Sequence, residues 1–414
     1  MKSEILRILQ TRGFLYQNTN IQDLDNLAHN SEVVLYCGFD CTAKSLHVGN
    51  LVNIMILRWF QKLGHTPIVL VGGATTMIGD PSGKSDARTM LSYETIQENK
   101  ESISTVFKRF INFDKAHFVD NNDWLCEIKY LEFLRDYGRH FSVNKMLTFE
   151  SVKSRLDAEQ SLSFLEFNYM LLQAYDFLEL YKRFGCRLQV GGSDQWGNIV
   201  NGVWLAHKVI DKELFCLTCP LITMASGAKM GKSASGAVWL NSSMKSPYDY
   251  WQFWRNTEDT DVIRFLRLFT ELDEQEIERL SKLKGAEIND AKIILANEAT
   301  KLCHGEEASE KAFSTASKAF ERSAELSIDD LPKINISKQD IESGIKFLQL
   351  FVMTGLAESN SAAKKLIIGG GAKYNNKVIQ DPSQQVSIVD FLNGKIVLLA
   401  GKKRYAIAVY TEPL

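Results

Sequence analysis

The stretch SLHVGN places His47 between an apolar run, VVLYCGF, and a segment whose apolar residues Leu51, Ile54, Met55, Trp59 and Leu63 repeat with a helical period. A helix N-terminus offers unpaired N–H groups and the positive end of the macrodipole, so it favours an anion. An imidazole at that entrance can donate to a phosphate oxygen. Asn50 adds an amide, and Gly49 lets a flat base approach the backbone. The same residues are equally compatible with a histidine that only caps its helix. About 180 residues downstream, AKMGKSASG sets Lys229 and Lys232 around Gly231. Such a loop is either an ordinary solvated turn or a mobile segment whose ammonium groups close over a polyphosphate as charge develops on it. The two motifs together favour the second reading of each. Neither standard phosphate cradle is present: GDPSGKS has Ile78 where a P-loop needs glycine, and VGGATTMIG lacks the G-x-G-x-x-G spacing.

A third group lies in FNYMLLQAYDF. Tyr169, Gln173 and Asp176 are spaced i, i+4 and i+7, which puts all three on one face of a helix. The helix is otherwise rich in Phe, Leu and Met, where a polar stripe is costly unless it finds partners. It therefore belongs either to an internal hydrogen-bond network or to a pocket for a small ligand bearing an amine and a hydroxyl.

The elements that must position these groups follow from short apolar runs ending in glycine: VVLYCGF, TPIVLVGG and CRLQVGG. A strand, a helix and a second strand of this size make a βαβ unit, and ligands of open parallel sheets gather at the carboxyl ends of the strands. The expected fold is α/β, a doubly wound parallel sheet, plus an all-α region and a small α+β tail. A mostly helical insertion is expected from about Ile96 to Lys182, and a separate amphipathic helical domain from Pro247. The expected boundaries are 1–222 for the sheet domain with its insertion, 223–246 for the lysine loop and connection, 247–320 for the helical domain, 321–337 for a linker poor in large apolar residues and 338–414 for the tail. The 414 residues are 45% hydrophobic and 24% charged, with no run long enough to span a membrane and an N-terminus unlike a secretion signal. Seven scattered cysteines predict a reducing, cytoplasmic setting, and Cys216/Cys219 lacks the further ligands a structural zinc needs. From Lys338 onward ten Lys and Arg stand against six Asp and Glu, although the whole chain carries a net charge of −2. A basic tail on an acidic body points to a polyanionic partner.

HVGN and KMGKS resemble the HIGH and KMSKS motifs of class I aminoacyl-tRNA synthetases, and YCGFDCTAKSLHVGN, YMLLQAYD and QVGGSDQWGN are similar to the bacterial-type tyrosyl-tRNA synthetases along essentially the whole chain. The resemblance implies a Rossmann-like catalytic domain that activates L-tyrosine with ATP and transfers it to tRNA(Tyr). Tyr36 and Asp176 would hold the phenol, Tyr169, Gln173 and Asp80 the amino group, and Gln195 the carboxylate. Cys37, Gly38, Asp40, Gly49, Gly191, Gly192 and Asp194 would line the ATP site. His47 and Asn50 with Lys229 and Lys232 would stabilise the transition state and departing pyrophosphate, with Lys84 and Arg88 as further cationic partners. Mg²⁺ would arrive with ATP, no metal site of the protein's own being expected. The helical domain would contact tRNA. GLAESNSAAKKLIIGGGAKYNNKVIQD resembles a small RNA-binding module shared with a ribosomal protein, which implies tRNA contacts from Lys364, Lys365, Lys373 and Lys377. The stretch FLRDYGRHFSVNKML resembles the family's dimer interface, implying a homodimer. Three departures stand out: Asn50 in place of the second histidine, Gly231 in place of the central serine, and Cys41 in place of the usual proline, which is expected to loosen the approach to His47. The competing readings are a tryptophanyl-tRNA synthetase, a non-catalytic RNA-binding protein on the same scaffold, and a small-molecule nucleotidylyltransferase.

Overall fold

The computed structural model describes residues 1–82, 90–225, 227, 230–233, 236–324, 332–375, 377–392, 394–401 and 404–411, the side chains of 232–233 and 318–324 excepted. The chain forms two compact units, Met1–Phe313 and Ser314–Leu414.

The first unit is built on β1 (Gln17–Asn18), β2 (Val34–Asp40), β3 (Thr66–Gly72), β4 (His117–Asp120), β5 (Leu188–Gly192) and β6 (Phe215–Cys219), in the order β1-β6-β5-β2-β3-β4. Every neighbouring pair is parallel except β1 with β6. β3 is buried from Pro67 to Gly72 and β6 along its whole length, as strands covered on both faces must be. Helices α1 (Glu4–Arg12), α2 (Val48–Lys62), α3 (Thr75–Ile78), α4 (Tyr93–Phe110), α5 (Phe164–Phe184) and α6 (Trp196–Ile210) accompany the sheet. α5 opens on a capping box in which Ser163 and Glu166 satisfy each other's backbone N–H. It closes on Gly185, whose left-handed backbone (φ 66°) lets its N–H reach Leu180 and Tyr181. Met170, Ala174, Phe177 and Leu178 of this helix pack on Tyr36, Ile68 and Leu70 of the sheet.

The sheet opens where its winding reverses. β2 pairs with β3 from Val34–Thr66 to Asp40–Gly72, but with β5 only at Leu35–Leu188 and Tyr36–Gln189. Beyond Tyr36 the two strands part. One half of the chain is laid outward through β3 and β4, the other through β5 and β6, so this is the topological switch point, where crevices form.

α7 (Pro247–Arg255), α8 (Val262–Phe269) and α9 (Ile288–His304) were expected to stand apart as a helical domain; they belong instead to the first compact unit. The reason is a set of polar ties as well as apolar packing. Arg58 on α2 holds Glu271 through two N–H groups, at 2.7 and 3.0 Å. The buried Arg12 guanidinium lies over the Trp59 ring and donates to the carbonyls of Arg267, Thr270 and Leu272 at the end of α8. It caps carbonyls that the helix itself cannot satisfy.

β7 (Lys232–Ser233) and β8 (Gly236–Ala237) form a short antiparallel pair in the lysine segment. In the second unit β9 (Lys333–Ser337), β10 (Ala372–Tyr374), β11 (Lys377–Val378), β12 (Lys395–Ala400) and β13 (Arg404–Thr411) form a sheet in the order β11-β10-β12-β13-β9. With α10 (Phe347–Met353) and α11 (Asn360–Ile368) it encloses Ile336, Phe347, Phe351, Ile367, Ile396 and Leu398. The linker expected over 321–337 is corrected at both ends. A helix runs through Ala324, and Lys333–Ser337 is a strand paired in parallel with β13. KINIS alternates polar and apolar residues, and burying Ile336 completely is what its two isoleucines achieve.

Arg12→Met keeps an apolar stem over Trp59 but deletes the donors to α8. Urea unfolding is expected to show a loss of about 2–3 kcal/mol, because buried carbonyls are left without a partner.

Candidate active site

A cleft of about 440 Å³ lies at the point where β2 and β5 part. Tyr36, Cys37, Gly38 and Asp40 line it from β2, and His47, Gly49 and Asn50 from the start of α2. Asp80, then Tyr169, Gln173 and Asp176 of α5, and Gly191, Gly192, Asp194 and Gln195 after β5 complete it. The three α5 residues do share one face, as their spacing requires.

At the deep end, Asp176 is buried, with Oδ1 accepting from Trp124 Nε1 (2.7 Å) and Oδ2 from Asn121 Nδ2 (3.0 Å). Burial pushes its carboxyl up to about 7; the Asn121 and Trp124 donors pull the other way, and Asp40 and Asp120 add to the rise. Tyr36 is also fully buried, and burial together with the Asp176 carboxylate raises its hydroxyl well above the ordinary range. Among the described residues the Tyr36 hydroxyl has no hydrogen-bond partner, nor does Gln189 Oε1 on the neighbouring strand, its register partner. Two orphaned polar atoms and a desolvated carboxyl in one pocket are costly unless a polar ligand meets them.

Further out, the Tyr169 hydroxyl donates to Asp40 Oδ2 (3.2 Å) and the Thr75 hydroxyl to Asp40 Oδ1 (3.0 Å). Asp80 accepts from Gln195 Nε2 (2.7 Å) and from the Ser82 N–H (2.9 Å), and Asn198 reaches Asp80, Ser82 and the Gln195 carbonyl. The Gln195 amide is thus already bonded to the carboxylate expected to hold an amine.

Towards the mouth, a Cβ at Gly191 would meet Ile199 at 2.9 Å and one at Gly192 would meet Asp194 Oδ1 at 2.5 Å, so both glycines keep backbone accessible beside an exposed carboxylate. Cys37 lines the cleft but is almost wholly buried, and burial raises its thiol well above the usual range. His47 is the N-cap of α2, with Nδ1 accepting from Gly49 N–H at 3.0 Å. That assigns the neutral ring's proton to Nε2, the nitrogen suited to donate to an anion. Capping and anion contact are therefore compatible rather than alternatives. Asn50 Oδ1 accepts from the His47 N–H (3.1 Å), leaving its NH₂ as the donating end.

Gly49 also answers a steric demand that the sequence does not show. A Cβ there would strike the His47 ring at 2.7 Å and Met230 O at 3.0 Å, so the glycine makes room for the imidazole and the lysine loop. Gly231 is its counterpart, at φ 107° with a Cβ site 2.8 Å from His47 Nδ1. A serine there would be strained by backbone and by space alike. The segment after it is pinned to the histidine motif by Val48 N–H to Val238 O and Leu240 N–H to Leu46 O, both 2.9 Å. Cys41 does not loosen this region. Its N–H donates to Thr76 Oγ1 (2.8 Å) and its carbonyl accepts from Asn99 (2.8 Å), and a proline would lack the first bond.

Lys84, Arg88 and Lys229 lie outside the described residues, as does the Lys232 side chain. In the second unit Lys364 and Lys365 are exposed on α11. Register pairs Lys373 with Val378 and Lys377 with Tyr374, so these two lysines fall on opposite faces of the hairpin. The four do not form one face.

Sequence reasoning missed Asn121, Trp124, Thr75 and Asn198. A signal existed for the first two: HFVDNNDW is a fourth strand end running into polar residues. Thr75 and Asn198 carry no signal outside the fold.

Native Asp176 keeps its proton to about 7 against an ordinary 3.8. Between those values the folded state binds a proton that the unfolded chain has released, so this group's contribution to stability falls as pH rises. Urea titrations at about pH 5 and about pH 8 are expected to show wild type losing stability relative to Asp176→Asn at the higher pH.

Residues 28–321 match the family model of class I tRNA synthetases (W and Y). The chain is 54% identical over 412 residues to the tyrosine–tRNA ligase of Rhodopseudomonas palustris, spanning 98% of each, and 54% identical over 410 residues to that of Rhodospirillum rubrum, again 98% of each. Among solved structures, a C-terminally truncated mitochondrial tyrosyl-tRNA synthetase of Aspergillus nidulans superposes with a TM-score of 0.69 at 29% identity, over 77% of this chain and 95% of that one. The tryptophanyl-tRNA synthetase of Aeropyrum pernix shares the fold at a TM-score of 0.55 and 16% identity, over 76% of this chain and 90% of that one. With a switch-point cleft, a histidine-capped helix entry and a lysine loop pinned beside it, the chain belongs to the class I tRNA synthetases, among the bacterial tyrosine–tRNA ligases.

Proposed function

We propose that the protein joins L-tyrosine to ATP, giving tyrosyl-adenylate and pyrophosphate, and then passes tyrosine to the 3′ end of tRNA(Tyr). The observation that carries this reading is the deep pocket, lined by the buried Asp176 carboxyl and by a Tyr36 hydroxyl that has no partner among the described residues. A phenol satisfies both; a phenyl ring leaves them orphaned.

In this reading Tyr169, Gln173 and Asp80 hold the substrate ammonium and Gln195 orients its carboxylate. Gly191, Gly192 and Asp194 take the adenosine, with Cys37 and Gly38 beside it and Asp40 between the two ligands. The carboxylate is ionised at neutral pH and needs no general base. One of its oxygens bonds to the α-phosphorus as the bond to the bridging oxygen breaks, and pyrophosphate leaves with the electron pair. Catalysis is then positioning plus charge stabilisation. His47 Nε2–H and the Asn50 NH₂ would meet the phosphates, joined by Lys229 and Lys232 and by Lys84 and Arg88. Magnesium would come with the nucleotide, and no step here is routed through it.

The second unit would hold tRNA by phosphate contacts that position without reading sequence, with Lys364 and Lys365 as the leading pair. The protein would act in the cytoplasm; among the described residues no helix is long and apolar enough to cross a membrane. A homodimer is supported by Tyr130, Leu131, Val143, Leu156 and Phe164, large apolar side chains exposed within one stretch of the chain. Sedimentation of Leu131→Asp combined with Phe164→Asp is expected to give a monomer where wild type gives a dimer.

The test of function is ATP–pyrophosphate exchange, one amino acid at a time. Exchange with tyrosine alone is expected, and Asp176→Ala should cut the preference for tyrosine over phenylalanine by about a hundredfold. Exchange with tryptophan would overturn the pocket assignment. No exchange in folded protein would favour the non-catalytic RNA-binding reading.

A further inference from the structure

Two carboxylates of the cleft, Asp176 at its deep end and Asp40 beside the expected reaction centre, are joined by an unbroken chain of hydrogen bonds. Asn121 Nδ2 donates to Asp176 Oδ2 and to Thr75 Oγ1, each at 3.0 Å, and the Thr75 hydroxyl donates to Asp40 Oδ1 at 3.0 Å. The direction of every bond is fixed. Asn121 cannot flip, because its Oδ1 accepts from the Ala74 N–H (2.9 Å). Both amide hydrogens are then committed, one to each acceptor. Thr75 Oγ1 is an acceptor from Asn121, so its single proton must go to Asp40. Asn121 and Thr75 are 1% and 3% exposed, so the bridge runs through a largely desolvated wall of the cleft.

The backbone has been cleared for the last link. Gly72 lies beside Asp40 in the β2–β3 register, and a Cβ on it would sit 2.3 Å from both Asp40 Oδ1 and Thr75 Oγ1. Any side chain at position 72 would break the bond.

We propose that Thr75 is a positioning residue for adenylate formation, one that ties the orientation of Asp40 to the phenol pocket through Asn121. The inference rests on the proposed function and adds to it: contact with the substrate hydroxyl bears on Asp176, and the Asn121–Thr75 bridge carries that contact to the carboxylate flanking the reacting groups. Recognition of the hydroxyl thereby enters the rate of the chemical step as well as substrate affinity.

The experiment compares wild type, Thr75→Val and Thr75→Ser by equilibrium tyrosine binding and by single-turnover adenylate formation, with melting temperatures as the check on folding. Valine keeps the shape and removes the hydroxyl; serine restores it. Thr75→Val is expected to change tyrosine affinity by less than about threefold and to slow adenylate formation about tenfold, with Thr75→Ser recovering most of the rate. In an Asn121→Ala background the same valine substitution is expected to cost less than about twofold, since the bridge is already cut. A Thr75→Val rate within about twofold of wild type would overturn the proposal, as would a slow Thr75→Ser with unchanged melting or full additivity with Asn121→Ala. A folded wild type that forms no adenylate with tyrosine is a different failure, that of the function itself.

Discussion

A carboxyl group buried at position 176 sets the strictest condition on this fold. Desolvation alone would neutralise it, and the apolar cluster of α5 and the sheet offers it nothing. The structure answers with two donors from the segment after β4, Asn121 and Trp124, and these fix where that segment must run. Asn121 in turn orders the β3–α3 turn through Ala74, and Thr75 in that turn orders Asp40. One desolvated group therefore determines the relative placement of β2, β3, β4 and α5.

The same economy governs the mouth of the cleft, where the constraint is steric. Glycines at 49 and 231 let a ring and a loop backbone share space that two methyl groups would fill. His47 serves at once as helix cap and, in the proposed mechanism, as phosphate donor, because its two nitrogens face different tasks. Cys41 fits this picture as a tighter tie, its N–H spent on Thr76 where a proline would have none.

Function then divides along the cleft. In the proposed function the deep end, with polar atoms that lack partners among the described residues, takes the hydroxylated ring, and the mouth, with backbone, histidine and asparagine donors, takes the phosphates. Between them lie Asp40, Asp80 and Gln195, already bonded to one another's neighbours before any ligand arrives. Such preorganisation is what positioning catalysis requires, since little reorganisation remains to be done in the transition state.

The sequence by itself determined the parallel sheet, the helical entry at His47, the shared face of Tyr169, Gln173 and Asp176, and the family. Each is written in a short-range period or a local motif: uninterrupted apolar runs, i, i+4, i+7 spacing, glycines at strand ends. It did not reveal that α7–α9 join the first unit, because Arg12 meets the end of α8 across some 255 residues. It hid the strand Lys333–Ser337, whose partner β13 lies at the far end of the tail. It gave no hint of the steric demand on Gly49 from the Met230 carbonyl, which comes from a loop about 180 residues away. Thr75 and Asn198 were silent for the same cause: a hydroxyl and an amide acquire meaning only when the fold brings them beside the carboxylates Asp40 and Asp80. Local pattern specifies elements and faces; the partner of a buried polar atom is decided only by tertiary structure, because desolvation is a property of the assembled core.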